Sequence, residues 1–254
     1  MPAPNATQRF SDRVDNYVRY RPGYPLEILT LLRERCGFTP EARIADVGFG
    51  TGIFTRMLLE NGNPVFGIEP NQEMREAGEK LLAEFPNFKS VDATAERTAL
   101  ADSSVDFVTA AQAAHWFNRE AARKEFARIL KSGGWVVLIW NERLTEGTPF
   151  LVEYEKLLLE YGTDYAEVRH ERTTDGIDAF FAPAPYELVT FRTQQIFDYA
   201  GLEGRVFSSS YIPAPYDPRA VPVRRALLEL FERFEANGTV GFDYDTKVFF
   251  GRIS

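Results

Sequence analysis

The sequence predicts an α/β fold with a parallel sheet and helices on both faces. Strand-like and helix-like stretches alternate from residue 25 onward, which is the pattern of βαβ units. A glycine-rich turn, Gly48 to Gly52, joins a short buried strand to the helix after it. The helical stretches between strands are long enough for parallel crossovers and too long for hairpins. Taking the elements in order, Pro25–Cys36 reads as a helix with proline at its first position and Gly37 as its stop. Arg43–Val47 is the first strand, and a helix through Phe54, Met57 and Leu58 follows the turn and runs to Gly62. Pro64–Glu69 is the second strand, with Asn71 capping a helix through Leu82. Ser90–Asp92, Val105–Ala110 and Trp135–Trp140 are the third to fifth strands, and Asn118–Leu130 is the helix before the last of these.

The second half has a different texture. Thr148 and Pro149 start a helix carrying Phe150, Tyr154, Leu157, Leu158 and Tyr161. Residues 163–190 read as irregular, broken by Asp175-Gly176 and Ala182-Pro183-Ala184-Pro185. Gly204–Ile212 reads as a strand, Arg219–Phe234 as a helix, and Lys247–Ile253 as a final strand after the Asn237-Gly238 turn. The expected organisation is one domain over residues 1–254. It comprises an N-terminal lid arm (1–24), a ligand-binding core (25–140), an insertion over the strand ends (141–203) and a closing helix and strands (204–254). The apolar residues of the insertion are too dispersed to promise a core of their own.

Composition narrows the function classes. The 254 residues are 44 % hydrophobic and 26 % charged, an ordinary globular balance with enough chain for a full core. Cys36 is the single cysteine, which excludes a disulfide framework and a cysteine-built zinc site; His115 and His170 are too few for a histidine-built metal centre. The net charge of −8, from 29 Lys+Arg and 37 Asp+Glu, argues against a nucleic-acid partner. No apolar run suits a signal peptide or a membrane span, so the expected setting is the cytoplasm. Oligomeric state is not legible.

The residues that carry chemistry begin at Asp46-Val47-Gly48-Phe49-Gly50-Thr51-Gly52. A nicotinamide-type loop would need its third glycine at position 53, where Ile53 stands, and no Gly-Lys-Ser/Thr of a P-loop follows. Asp46, two residues before the first glycine, suits a ligand bearing positive charge, such as an amino group or a sulfonium; it could equally cap nearby backbone N–H groups. Glu69 ends the second strand, where a carboxylate can accept both hydrogens of a ribose diol. Asp92-Ala93 offers a side-chain acceptor and a backbone N–H, matching the two edges of an adenine.

Read together, Ala45–Gly52, Gly67-Ile68-Glu69-Pro70-Asn71, Asp92-Ala93-Thr94-Ala95-Glu96 and Leu130-Lys131-Ser132-Gly133-Gly134 resemble the class I S-adenosylmethionine-dependent methyltransferases of the type 11 group. The flanks, Phe10-Ser11, Tyr17, Tyr20-Arg21-Pro22-Gly23-Tyr24-Pro25 and Ser208-Ser209-Ser210-Tyr211, are similar to its trans-aconitate-methyltransferase-like branch. The resemblance implies a Rossmann-like three-layer sandwich with a mostly parallel seven-stranded sheet whose last strand is antiparallel. It implies S-adenosyl-L-methionine as cofactor, with Gly48, Gly50 and Gly52 under its methionyl part, Glu69 on the ribose, Asp92 and Ala93 on the adenine, and Pro70 and Gln112 beside them. Phe49 stands where this family more often has a small residue, so its ring either points away from the cofactor or narrows the pocket.

The acceptor side is less determined. Gln112-Ala113-Ala114-His115-Trp116-Phe117 follows the fourth strand, without the Asn/Asp-Pro-Pro-Tyr/Phe of enzymes that methylate DNA bases. His115 is expected as a general base or as a hydrogen bond to the acceptor, and Trp116 as pocket wall or packing. The arginines Arg9, Arg13, Arg19 and Arg21, with Tyr17, Tyr20 and Tyr24, form either a solvated face, given Asp12 and Asp15, or a lid whose guanidinium groups hold an anionic acceptor. Tyr211 lines the pocket or ends a strand. The expected activity is methyl transfer to a small molecule, such as O-methylation of a carboxylate; methylation at nitrogen or carbon of an aromatic or quinone precursor, and cofactor binding without catalysis, are the alternatives.

Overall fold

The computed structural model describes residues 19–165 and 176–253. Tyr17, Arg9, Arg13 and the rest of the expected arm up to residue 18 lie outside the described residues. The first half runs α1 (Glu27–Cys36), β1 (Ile44–Val47), α2 (Ile53–Glu60), β2 (Val65–Ile68), α3 (Gln72–Leu81), β3 (Phe88–Val91), β4 (Val105–Ala111), α4 (Arg119–Ile129) and β5 (Leu130–Arg143). The second half runs α5 (Pro149–Tyr161), α6 (Ile177–Phe181), β6 (Tyr186–Phe197), α7 (Tyr199–Phe207), α8 (Ala220–Phe234) and β7 (Val240–Gly251). A 3₁₀ turn at Ala114–Trp116 follows β4.

The seven strands form one sheet in the order β3-β2-β1-β4-β5-β7-β6. Strands β1 to β5 pair in parallel, and β7 runs antiparallel between β5 and β6. The expected Rossmann-like three-layer sheet with an antiparallel closing strand is therefore observed. Its central strand β1 is buried at all four positions, as a strand covered on both faces must be. Alternation along β5 shows the layers. Val136, Leu138 and Trp140 face the core beneath α4 and α6, while Val137 and Ile139 face the core beneath α1 and α2. The helix starts are built as the sequence implies. Asn71 and Asn118 accept the Met74 and Ala121 N–H at 2.9 and 3.2 Å, and Thr148, with Pro149 behind it, accepts Leu151 N–H at 3.2 Å.

Two elements differ from expectation. Residues 204–212 are not a strand; α7 ends at Phe207, its start capped by Asp198 on the Gly201 N–H at 2.7 Å. Leu202, Val206 and Phe207 bury at helical spacing, which the following serine run obscures. The stretch read as irregular and as an insertion instead contributes β6, a twelve-residue edge strand. Its inward positions include Thr193 and Gln195, so apolar alternation is weak, although Val189, Phe191 and Phe197 keep it. Strands β6 and β7 continue pairing past the Arg143–Tyr244 pair that ends β5 against β7. Helices α5, α7 and α8 pack around that overrun in a third apolar cluster, with Phe150, Tyr154, Leu158, Leu202, Leu227 and Phe242 among its buried members. The segment 141–203 thus does reach a core, shared with residues 204–244. Among the described residues no helix is long and apolar enough to cross a membrane, and no three metal-binding side chains cluster.

Candidate cofactor and acceptor site

Strand order reverses between β1 and β4, and a cavity of about 500 Å³ opens there at their carboxyl ends. The turn Gly48–Gly52 forms one wall, with Gly48, Gly50 and Gly52 at φ +72°, +59° and +88°, values costly for residues with a Cβ. A Cβ on Gly48 would also lie 2.5 Å from that of Ala113 after β4, so this glycine lets the two loops meet.

Phe49 is among the residues lining the cavity, yet its ring is packed elsewhere. Its ring fills a slot between β2 and α3, edge-on to Phe88 at 5.4 Å, and Gly67 and Gly78 make the room: a Cβ on either would come within 2.8 and 2.5 Å of it. The large residue in the loop is accommodated by two small ones elsewhere.

Glu69 closes the next side. Its Oε2 accepts the Gly50 N–H at 3.0 Å and its Oε1 the Asn71 N–H at 2.9 Å, which fixes the carboxylate and leaves each oxygen a lone pair. Burial raises its pKa, and the two backbone N–H groups pull it partly back. Asp46 is fully buried, with Thr55 and Thr109 hydroxyls donating to its two oxygens at 2.6 and 2.8 Å. Burial raises its pKa to about 6 despite those two bonds. The capping alternative is thus met by threonine hydroxyls, not backbone, and a cationic ligand in the cavity would favour its charged form. Pro70 lines the same wall.

Asp92 and Ala93 lie outside the cavity lining, which Thr94, Ala95 and Glu96 form instead. Arg75 links this corner to Glu69: its Nη1 donates to the Glu69 carbonyl at 2.8 Å and to Asp92 Oδ1 at 3.0 Å. Nothing in the sequence pattern marks Arg75; only the fold brings α3 over both strand ends.

On the β4 side, Gln112 sits in the left-handed region at φ +56°, its N–H on the Ile139 carbonyl and its Nε2 donating to the Asn141 carbonyl at 2.9 Å. Such a conformation in a non-glycine residue at a cavity wall is maintained by its surroundings. Trp116 and Phe117 line the cavity and His115 does not. The Trp140 indole N–H approaches His115 Nδ1 at 3.5 Å, and burial lowers the imidazole pKa to about 4. A neutral ring whose Nδ1 faces a donor is a poor general base at neutral pH, so this geometry opposes that expected role.

The residues expected on the acceptor side form a separate group. Arg21 donates to the Ser208 carbonyl at 3.1 Å, and the Tyr20 ring lies over Gly204. Tyr211 is buried against Tyr165, ring centroids 4.8 Å apart. Tyr24 carries this strap to the cavity wall, and the Gly23 carbonyl accepts Asn141 Nδ2 at 3.0 Å.

Two buried polar atoms in the wall, Thr51 Oγ1 and Asn71 Nδ2, have no hydrogen-bond partner among the described residues. Such atoms are costly unless a ligand completes them, and they fit a polar cofactor here. The sequence profile of the methyltransferase domain family matches residues 45–138, the span from β1 to β5 that builds this cavity. Residues 45–138 thus resemble a methyltransferase domain. An uncharacterized methyltransferase of Mycobacterium tuberculosis is 39 % identical over 134 residues, covering 53 % of this chain and 52 % of the relative. An uncharacterized methyltransferase-like protein of Schizosaccharomyces pombe is 33 % identical over 156 residues, covering 61 % and 59 %. The chain thus spans little more than half the length of the curated relatives it matches. Among solved structures, a protein of Anaeromyxobacter dehalogenans provisionally called a type II methyltransferase superposes with a TM-score of 0.67 at 19 % identity, over 92 % of this chain and 98 % of that one. These likenesses agree with the sheet topology of the methyltransferase domain.

Proposed function

We propose that the protein transfers the methyl group of S-adenosylmethionine to an oxygen of a small carboxylate. The observation that carries the cofactor half is Glu69, held by two backbone N–H groups at the wall of a cavity that also holds the buried carboxylate of Asp46. Glu69 would hold the ribose diol, Thr51 and Asn71 offer unpartnered polar atoms to the polar groups of the cofactor, and Asp46 adds negative potential toward its cationic end. When bound, the cofactor supplies a methyl group on a positively charged sulfur, which leaves as a neutral thioether. The protein's part is then to dehydrate the cavity and align the acceptor, about 3–3.5 Å from the reacting carbon.

The carboxylate acceptor follows from the state of His115. A hydroxyl or ammonium acceptor needs a base, whereas a carboxylate oxygen is already a nucleophile with a free pair. The low pKa of His115 and its place off the cavity wall favour an acceptor that needs none. The similarity of the arm and of Ser208–Tyr211 to the trans-aconitate-methyltransferase-like branch supports the same reading. Replacing His115 with alanine should lower kcat by less than about threefold; a loss of about 100-fold, the scale of general-base catalysis, would restore the base. Methyl-labelled cofactor incubated with small carboxylic acids should yield label that alkali releases as methanol, the mark of an ester. Label that resists alkali would place the methyl group on nitrogen or carbon and contradict the carboxylate.

A further inference from the structure

Past the last ladder pair of β4 with β5, Ala111 against Ile139, three parts of the chain converge on Asn141. Gln112 leaves the strand in the left-handed region, which removes the backbone donor that a continuing ladder would aim at the Asn141 carbonyl. Its side-chain Nε2 takes that place at 2.9 Å, while its own N–H stays on the Ile139 carbonyl at 2.8 Å. By the alternation of β5, the Asn141 side chain stands on the same face as Val137 and Ile139, and the residue is 3 % exposed. Thr246, its buried cross-strand partner on β7, donates its hydroxyl to Oδ1 at 2.6 Å. Nδ2 donates to the Gly23 carbonyl at 3.0 Å. A carbonyl only accepts, so the amide can face Gly23 through its nitrogen alone.

An amide buried beside apolar residues is costly unless its bonds are made, and those of Asn141 are spent on the strap of residues 20–24. Immediately after Gly23, Tyr24 packs edge-on to Phe54 with ring centroids 5.1 Å apart, and both rings line the cavity. Upstream, the Tyr20 carbonyl accepts Gln195 Nε2 at 3.4 Å, and Arg21 donates to the Ser208 carbonyl at 3.1 Å. Pro22 and Pro25 flank Gly23 and Tyr24 and restrict the backbone on either side. Two parts of the cavity wall, Gln112 after β4 and Tyr24 on the strap, are therefore set by one residue that does not itself line the cavity.

We propose that Asn141 is a positioning residue for methyl transfer: through Gly23 it clamps the strap, so that Tyr24 closes the cavity over bound cofactor. A ligand that touches Tyr24 favours the clamped strap, and by linkage the clamped strap favours the ligand. The strap opens to admit the cofactor and closes behind it, while Gln112, tied to the backbone of the same residue, holds the wall on the β4 side. Thr246 acts one step further away. Its hydroxyl occupies Oδ1 and keeps Nδ2 aimed at Gly23. The link to the ligand rests on the proposed cofactor site, whereas the clamp rests on these hydrogen bonds alone.

Limited trypsin digestion of the full chain, followed by mass spectrometry, reads the strap at the bond after the exposed Arg19; the Arg21-Pro22 bond resists trypsin. With reclosing faster than cleavage, the rate of that cut tracks the population of the open strap. Saturating S-adenosylhomocysteine should slow it by about tenfold or more. Without ligand, Asn141→Leu should be cut about tenfold faster than the wild type, the scale of a lost hydrogen bond whose carbonyl is left unpaired. Thr246→Val should speed the cut by about threefold or more, and Thr246→Ser, which keeps the hydroxyl, by less than about twofold. A merely structural role for Thr246 predicts the reverse order, because serine loses a buried methyl group that valine retains. A wild-type cutting rate in Asn141→Leu, a Thr246→Ser chain cut as fast as Thr246→Val, or S-adenosylhomocysteine that binds without slowing the cut overturns the proposal. If Asn141→Leu does not fold, the two Thr246 variants decide by the same criterion. Failure of S-adenosylhomocysteine to bind at all defeats the cofactor reading, and the ligand-free rates then decide the clamp.

Discussion

The two halves of the sheet use polar groups in opposite ways. Around β1, β2 and β4 each carboxylate on the cavity wall is pinned by neutral donors: Glu69 by backbone N–H groups and Asp46 by two threonine hydroxyls. Around β5, β6 and β7 the buried charges are the guanidiniums of Arg143 and Arg205 together with the Glu155 carboxylate that pairs with Arg143, set among tyrosine rings in an apolar cluster. The first half is an acidic pocket suited to a cation, and the second gathers positive charge. Both regions lie at one end of a single sheet, so topology alone brings these two environments to the same side of the molecule.

Breaking the packing of the second half should have the largest effect on stability. Phe242 is fully buried, with Tyr154 and Phe150 ring centroids at 4.7 and 5.3 Å, so Phe242→Ala should cost about 3–5 kcal/mol in denaturant unfolding. The affinity of the remaining folded protein for S-adenosylhomocysteine should be unchanged, because Phe242 is not part of the cavity wall. Glu69→Ala inverts that outcome. Losing two charge-assisted hydrogen bonds to a diol, at about 1.5 kcal/mol each, predicts an affinity about 100-fold lower in the same titration.

Asp46 connects the pocket's electrostatics to stability. Its pKa is raised to about 6 in the folded protein, so between about pH 4 and 6 the native state keeps a proton that the unfolded chain has released. Stability contributed by the protonated form is complete below about pH 4 and falls as pH rises through 6, by about 3 kcal/mol in all. Urea unfolding across this range should show the decline, and Asp46→Asn should flatten it. The smallest expected effect concerns the Phe49 slot. Gly78→Ala places a Cβ 2.5 Å from the Phe49 ring and should cost about 1–3 kcal/mol by thermal unfolding, with partial recovery when Phe49→Ala is added.

The first half is legible in the sequence because its signals are local. The glycine turn, Glu69 at a strand end and the Asn71 and Asn118 caps each declare themselves within a few residues, and the parallel order follows from segment lengths. The features that no local pattern shows depend on partners distant in sequence. The slot for Phe49 exists because of glycines on β2 and α3, which nothing nearby connects to it. Strand β6 places Thr193 and Gln195 inward at a sheet edge, so its period-two signal is diluted by polar residues. Arg205 reads as a surface charge in any window of sequence, and only the fold, which sets α7 against β6 and α8 and brings Arg205 to Tyr244 of β7, buries it. His115 stands out for its chemistry, yet its burial and its neighbour Trp140 are set by β5, beyond the reach of the motif.

The proposed chemistry requires the cavity at the β1–β4 switch point to be a site for S-adenosylmethionine and not for a dinucleotide. Isothermal titration of the purified chain with S-adenosylhomocysteine and, separately, with NAD tests it most directly. The predicted result is saturable one-to-one binding of S-adenosylhomocysteine, weakened in Glu69→Ala, and no heat of binding for NAD. Saturable binding of NAD with none of S-adenosylhomocysteine would contradict it.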